Sequence, residues 1–123
     1  MEFGFSLPFP PSVNHTWMRG AGKRLYSNPK VKAFHTESSL VIDAFRKTLF
    51  FCEPLKEKLG VKITLHEKDA RRRDIDNYTK SIFDVITKNQ IWLDDSQVDE
   101  LVVARGERSK DYPCVDIKIW TLE

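Results

Sequence analysis

The sequence has little of what marks secreted, membrane or disulfide-stabilised proteins. Its two cysteines, Cys52 and Cys114, form no CxxC pair, which favours free thiols in a reducing compartment over a disulfide framework. No apolar run approaches the roughly 18 residues that a membrane span needs, and no signal peptide is recognisable. We therefore expect a cytoplasmic protein that has no membrane partner.

Motifs that bind nucleotides or form acyl intermediates are also missing. The five glycines form no GxGxxG, no P-loop and no GxSxG, which argues against dinucleotide binding, nucleotide hydrolysis and acyl transfer. No nucleotide cofactor is expected. The histidines His15, His35 and His66 lack the spacing of a metal site, so a histidine-based metal centre is not predicted either.

An excess of one charge is the third absence. The net charge is +2 for 20 basic and 18 acidic residues, so no basic tail dominates. The distribution is uneven, since residues 1–50 carry a net charge of +4 and residues 51–123 a net charge of −2. This uneven distribution is a weak signal, because any solvated domain could carry it. The length fits one domain, residues 1–123.

Periodicity and capping signals predict a single α+β domain. The order is β-α-β-α-β-β, with a mixed sheet packed against helices. Residues 12–27 are expected to form a polar, basic loop, and Trp92 and Trp120 are expected in the core. The predicted strands centre on residues 3–7, 61–65, 101–103 and 115–119, and the predicted helices run from Asn28, as cap, and Pro29 to about Phe50 and from Ile75 to Thr87.

Four carboxylates bracket the second predicted helix. Asp74 and Asp76 precede it, and Asp94 and Asp95 follow it and its loop. Such a cluster of acids is costly to assemble unless a cation neutralises it, and oxygen-only ligands suit Mg²⁺ or Mn²⁺. Three arginines, residues 71–73, lie directly upstream, so one locality could hold both a metal and a phosphate. This combination points to phosphodiester hydrolysis.

Each acid also has a simpler interpretation. Asp76 or Asn77 could cap the helix, and Asp76 could form an ordinary i, i+4 ion pair with Lys80. Asp94 and Asp95 could cap a short turn. Each of these interpretations explains one or two acids, and none explains all four beside the basic run.

The pattern of these residues resembles that of the RusA family of Holliday junction resolvases. Residues 71–98 read RRRDIDNYTKSIFDVITKNQIWLDDSQV, and the opening residues 5–14 read FSLPFPPSVN, similar to the family's first strand and its L-P-x-P-P-S-x-N motif. The resemblance covers nearly the whole chain. It implies the family's fold, its metal dependence and its activity on branched DNA.

The resemblance also implies roles for individual residues. Asp74, Asp76 and Asp95 match the family's metal-binding acids, and Lys80 matches its catalytic lysine. Three further matched positions are Asn77, assigned here to DNA binding, Asp94, assigned to the metal site, and Asp84. The expected cofactor is Mg²⁺, with Mn²⁺ as a substitute. One or two such ions would polarise the scissile phosphate and activate a water molecule, while Lys80 would stabilise the developing charge.

The expected function is resolution of four-way DNA junctions by paired symmetric nicks. Two equivalent cuts imply a homodimer with twofold symmetry, as the resemblance also does. Phosphate contacts would position the DNA without reading its sequence; the cations assigned to them are Arg71, Arg72, Arg73, Arg19, Lys23 and Arg24. Two alternatives stay open: a nuclease for other branched DNA, and a non-catalytic DNA-binding phage accessory protein. The gene is expected to be bacterial or phage-encoded.

Overall fold

The main sheet contains four strands. The structure is a computed structural model that describes residues 1–12, 17–19, 25–27, 29–48 and 53–122, with the backbone alone described for 17–19 and 25–27. The strands are β1 (Glu2–Pro8), β2 (Trp17–Arg19), β3 (Leu25–Ser27), β4 (Leu59–His66), β5 (Val98–Arg105) and β6 (Cys114–Thr121); the helices are α1 (Pro29–Arg46) and α2 (Thr79–Lys88), with 3₁₀ helices at Ile75–Asn77 and Asp95–Gln97.

The strands of the main sheet lie in the order β1-β6-β4-β5, so β4 is inside the sheet and pairs on both edges. It runs antiparallel to β6 and parallel to β5. A parallel pair needs a crossover connection, and α2 supplies it between β4 and β5. The chain therefore leaves the end of β4 and passes through residues 70–77, the first acid-bearing segment, which carries Asp74 and Asp76. It then returns along α2 to residues 94–97, the second acid-bearing segment, at the start of β5. The mixed sheet and helices confirm the predicted α+β fold.

One face of the sheet forms the core. Val61, Ile63 and Leu65 of β4 are fully buried, as alternation with a period of two requires, and Ile117 lies opposite Ile63 in β6. The helices cover this face. Their most buried residues are Phe34, Ser38 and Ile42 in α1 and Ser81, Ile82, Val85 and Ile86 in α2.

Trp92 and Trp120 have different surroundings. Trp92 is fully buried and stacks edge-on against Phe83, which confirms the prediction for it. Trp120 is half-buried and lies over Gly60 across the outer face of the sheet, where a Cβ would collide with the indole ring. The prediction of a core position was wrong for Trp120, because its neighbour Ile119 already points inward and successive side chains in a strand alternate faces.

Three element boundaries also differ from the predictions. Helix α1 ends at Arg46, before the predicted Phe50, which is outside the described residues, as is the predicted cap Asn28. The α2 helix begins at Thr79, because residues 75–77 form a separate 3₁₀ turn. Residues 17–19 and 25–27 pair as a short antiparallel hairpin, so the predicted loop over 12–27 contains two strands. Within the described ranges, no helix is long and apolar enough to cross a membrane.

Candidate functional site

The first acid-bearing segment follows β4 and carries Asp74 and Asp76. Asp74 has extended backbone angles and precedes the 3₁₀ turn, but its side chain forms no capping hydrogen bond. Both carboxylates are exposed. Neither Asp76 nor Asn77 caps α2, whose N-cap position is Tyr78 with no side-chain cap, so the capping interpretation was wrong for both. The two acids of this segment are free of that structural role.

The arginines before Asp74 divide into two kinds. Arg71 and Arg72 are exposed. Arg73 turns inward, with its side chain 16% exposed, and its Nη1 lies 2.8 Å from an oxygen of Asp69 and 3.0 Å from one of Glu67. The hydrogen bond to Asp69, followed by that to Glu67, raises the pKa of Arg73. Arg71 and Arg72 are therefore the cations of this run that face solvent, whereas Arg73 first organises its own segment.

The second acid-bearing segment, residues 94–97, precedes β5 and is organised by a capping box. An Asp94 oxygen accepts from the backbone N–H of Ser96 at 3.1 Å, and the Gln97 side chain accepts from the N–H of Asp94 at 2.8 Å. Hydrogen bonds from Ser96 to the Asp94 carboxylate lower the pKa of Asp94. The simpler interpretation of Asp94 as a turn cap is confirmed. Asp95 is the half-buried first residue of the 3₁₀ turn.

Gln97 anchors this turn to the rest of the molecule. Its Nε2 donates to the carbonyl oxygens of Leu55 and Glu57, each at 2.9 Å. The backbone nearby is joined in the same way, since Leu55 N–H donates to the carbonyl of Ile91 and Leu93 N–H donates to the carbonyl of Leu55. Asp95 is thus placed by neutral hydrogen bonds to the segment before β4.

Lys80 lies in the first turn of α2. Its Nζ is 3.1 Å from an oxygen of Asp84, and the two side chains are 72% and 45% exposed. The alternative pairing of Lys80 with Asp76 is not observed. An exposed pair at this spacing contributes only a few tenths of a kcal/mol. Lys80 can therefore leave Asp84 at little cost and turn toward a phosphate group.

An open cleft of about 630 Å³ brings acids and arginines together. Residues 70–76 and Arg105 line it, so Asp74 and Asp76 share one depression with Arg71 and Arg72. The 3₁₀ turn at 75–77 contacts β5, and the one at 95–97 contacts α2. These contacts place both acid-bearing segments along the crossover unit formed by α2 and β5.

The donor chemistry of this region suits a hard cation, because the acids offer oxygen alone. Among the described residues, however, no three His, Cys, Asp or Glu side chains are grouped so that they could hold one metal ion. Asp74 and Asp76 are not joined by Asp94 or Asp95 in such a group. A metal ion at these acids therefore stays a prediction.

Two residues of the site were not predicted from the sequence, and the side chains of three predicted DNA-binding residues are outside the described part of the chain. Glu67 and Arg105 join the arginine cluster through contacts that no local motif signals. The nearest hint in the sequence was an acid directly after an apolar strand. The side chains of Arg19, Lys23 and Arg24 are outside the described residues, so DNA contacts by these three cations stay predictions.

Comparison with known proteins identifies the family. The family described as Endodeoxyribonuclease RusA matches residues 8–120. The crossover junction endodeoxyribonuclease RusA of Enterobacteria phage HK97 is 32% identical over 105 residues, covering 85% of this chain and 83% of the phage protein. Proteins of the same name from Escherichia coli K12 and Enterobacteria phage 82 are each 33% identical over 96 residues, covering 78% of this chain and 76% of the relative. The chain belongs to the RusA family of endodeoxyribonucleases.

Proposed function

We propose that this protein is a metal-dependent endodeoxyribonuclease that resolves Holliday junctions by paired symmetric nicks during DNA recombination and repair. Family membership supports the nuclease activity, and the relatives are named for crossover junctions. The observation that carries the proposal for this chain is the cleft lined by residues 70–76 and Arg105. It combines exposed carboxylates with exposed guanidinium groups, which are the groups that phosphodiester hydrolysis needs.

Each residue has a proposed part in the reaction. Asp74, Asp76 and Asp95 would hold Mg²⁺ or Mn²⁺, which would supply Lewis acidity and an activated water. Arg71 and Arg72 hold the DNA backbone beside the cut through its phosphates. Two further assignments are Asn77 to the DNA backbone and Asp94, whose second oxygen is free of the cap, to the edge of the metal site.

Lys80 stabilises the negative charge that develops on the phosphate. A preorganised cation at this point acts where charge grows during the reaction. Among the described residues, its ion-pair partner is Asp84 at 3.1 Å, so the lysine side chain lies near the first turn of α2 without being buried there.

A homodimer follows from the proposed symmetry of cleavage. A four-way junction offers two equivalent strands, and two related cuts need two related sites. Light scattering should give twice the monomer mass, free or junction-bound. A monomer in both conditions at micromolar concentration would leave paired nicking without a structural basis. The proposed setting is the bacterial cytoplasm, with a host or phage gene.

Mapping of the cuts tests the substrate. A synthetic four-way junction, a replication fork and a flap, labelled on each strand in turn, should be incubated with the protein and Mg²⁺. We expect cuts at symmetry-related positions on two opposing strands of the junction, and slower cutting of the fork and flap. Equal or faster cleavage of fork and flap would replace junction resolution by a general branched-DNA nuclease. Tight binding without cuts would indicate a DNA-binding accessory protein.

A further inference from the structure

Glu67 is the one buried residue of the described chain that carries a formal charge at neutral pH. It is the first residue after β4, and its side chain is 7% exposed. A buried carboxylate is costly unless it is paired and hydrogen-bonded. Its position therefore needs partners, and the reaction described so far makes no use of it.

Each carboxylate oxygen of Glu67 accepts from a different arginine. Oε1 lies 2.8 Å from Nε of Arg105, at the end of β5, and Oε2 lies 3.0 Å from Nη1 of Arg73. The backbone carbonyl of Glu67 also accepts from the N–H of Ser109 at 2.9 Å. One buried residue thus joins four segments: the end of β4, the segment that leads to Asp74, the end of β5, and the connection between β5 and β6.

Arg73 and Arg105 in turn hold the backbone directly before Asp74. Nη2 of Arg105 donates to the carbonyl oxygen of Arg73, which belongs to the peptide group joining Arg73 to Asp74. Nη1 of Arg73 also donates to the carbonyl of Arg71 at 3.2 Å. The orientation of the peptide before Asp74 is consequently set by Arg105, whose own orientation is set by Glu67.

We propose that Glu67 is a positioning residue for the nuclease reaction. It fixes Arg73 and Arg105, and through them the segment that presents Asp74 and Asp76 in the cleft. The inference rests on the proposed function. Glu67 touches neither DNA nor metal in this role, which resembles the outer-shell partners that orient metal ligands and whose loss costs 10- to 100-fold in metal affinity or activity.

The main experiment uses Glu67→Gln in the full-length protein. The amide can accept from one arginine but points an NH₂ donor at the other, at nearly unchanged volume. We expect the Mg²⁺ concentration for half-maximal junction cleavage to rise about 10- to 100-fold, whereas junction affinity in EDTA should change much less. Amide hydrogen exchange in residues 70–77 should accelerate without DNA or metal. Glu100→Gln removes the same charge from an exposed residue of β5 and should match wild type in all three measurements.

A second variant changes Arg105, the exposed partner of Glu67. Arg105 is 51% exposed, so Arg105→Gln should fold even if Glu67→Gln does not. It should show the same change in Mg²⁺ requirement and exchange. The double variant should be little worse than the more impaired single variant, because residues acting as one unit are not additive. Arg105→Lys, which keeps the charge, should recover part of the loss.

The outcomes separate the inference from the proposed function. If wild type cleaves the junction and Arg105→Gln shows wild-type Mg²⁺ dependence and exchange, the positioning role is wrong and the nuclease assignment stands. The same holds if Glu67→Gln folds and behaves like wild type. If wild type cleaves no junction in any divalent ion, the proposed function itself is wrong.

Discussion

The two acid-bearing segments that flank α2 are held in place by opposite means. The segment before the helix is fixed by charge, because Glu67 binds Arg73 and Arg105 and the latter binds the backbone beside Asp74. The segment after it is fixed by neutral hydrogen bonds, chiefly the capping box of Asp94 and Gln97. The first segment therefore depends on ionised partners far along the chain, and the second on its own sequence.

This difference also divides the four acids. Asp74 and Asp76 carry no capping role in their turn, so their carboxylates are available to a ligand. Asp94 uses one oxygen to cap its turn, whereas the Asp95 side chain is not part of the capping box. We therefore expect charge to matter at three of the acids and hydrogen-bonding geometry to matter at the fourth.

The largest expected effect is loss of cleavage in Asp74→Asn, Asp76→Asn and Asp95→Asn. Each change keeps the size of the side chain and removes the negative charge of a proposed metal ligand, so we expect cleavage of a four-way junction to fall below detection. Binding in a gel-shift assay should stay near wild type or tighten, since less negative charge faces DNA. Full cleavage by any one variant would remove that residue from the metal site.

Lys80→Ala should lower the cleavage rate about 100-fold, as loss of a preorganised donor does. Junction affinity should fall much less. The matched control is Asp84→Asn, which removes the exposed partner of Lys80 and should change the rate little. Single-turnover rates at saturating protein measure both. A small loss in Lys80→Ala that equals the loss in the control would reduce Lys80 to a surface ion pair.

The cations near the first segment should control the salt dependence of binding. Replacing Arg71 and Arg72 by alanine should weaken junction binding and flatten the slope of log affinity against log salt by roughly 0.9 for each lost phosphate contact. Replacing Arg19, Lys23 and Arg24 together should do the same from the basic front. The cleavage rate at saturation by this triple variant should change little. An unchanged slope would mean that the replaced cations face away from DNA.

Asp94 offers a test of the second segment alone. Asp94→Asn keeps a good capping residue but loses the charge, whereas Asp94→Ala loses both. We expect the asparagine variant to melt like wild type and keep most of its cleavage. The alanine variant should melt roughly 2–6 °C lower. If the asparagine variant is as inactive as Asp95→Asn, then Asp94 is a metal ligand as well as a cap.

The smallest expected effect concerns the outer face of the sheet. Both ring nitrogens of His66 face acceptors, the Glu107 carbonyl at 2.8 Å and an Asp116 oxygen at 2.9 Å. These contacts, the Glu107 bond first, raise the pKa of His66. Its stabilising contribution is therefore complete below about pH 6.5 and lost as pH rises through the raised value. The free energy of unfolding should decline over that range in wild type and decline less in His66→Gln.

Asp116 gives the acid limit of the same network. A hydrogen bond from the Ser6 hydroxyl at 2.5 Å, followed by that from His66, lowers the pKa of Asp116 below its ordinary 3.8. Its contribution is present above that ordinary value and lost as pH falls through the lowered one. Urea unfolding of wild type, His66→Gln and Ser6→Ala across the two pH ranges measures how the free energy of unfolding depends on His66 and on Asp116. If the difference in the free energy of unfolding between wild type and these variants did not depend on pH, both predictions would be wrong.

Local patterns predicted the parts of the molecule that local chemistry determines. Val61, Ile63 and Leu65 alternate because one face of β4 is buried, and the acids stand out because they surround a short apolar helix. The hairpin at 17–19 and 25–27 was missed because a three-residue strand is too short to show a period. Its pairing is visible only in the structure.

The contacts of Glu67 that fix the first acid-bearing segment were not predictable from the sequence, and the reason differs from that for the hairpin. Glu67 and Arg105 are 38 residues apart in the chain, and neither belongs to a motif. Their contact depends on β4 and β5 being parallel neighbours, with Leu65 opposite Arg105. Arg73 illustrates the same limit, since its place in a run of three arginines gave no sign that it turns inward.

The most direct test of metal-dependent junction resolution compares cleavage of one synthetic four-way junction with that of a linear duplex of the same sequence. Each substrate should be incubated with the protein in Mg²⁺, in Mn²⁺ and in EDTA, with Asp76→Asn as the negative control. We expect cuts in the junction with either metal, little or no cleavage of the duplex, and none in EDTA or with the variant. Cleavage that persists in EDTA, or that is equal on junction and duplex, would contradict this expectation.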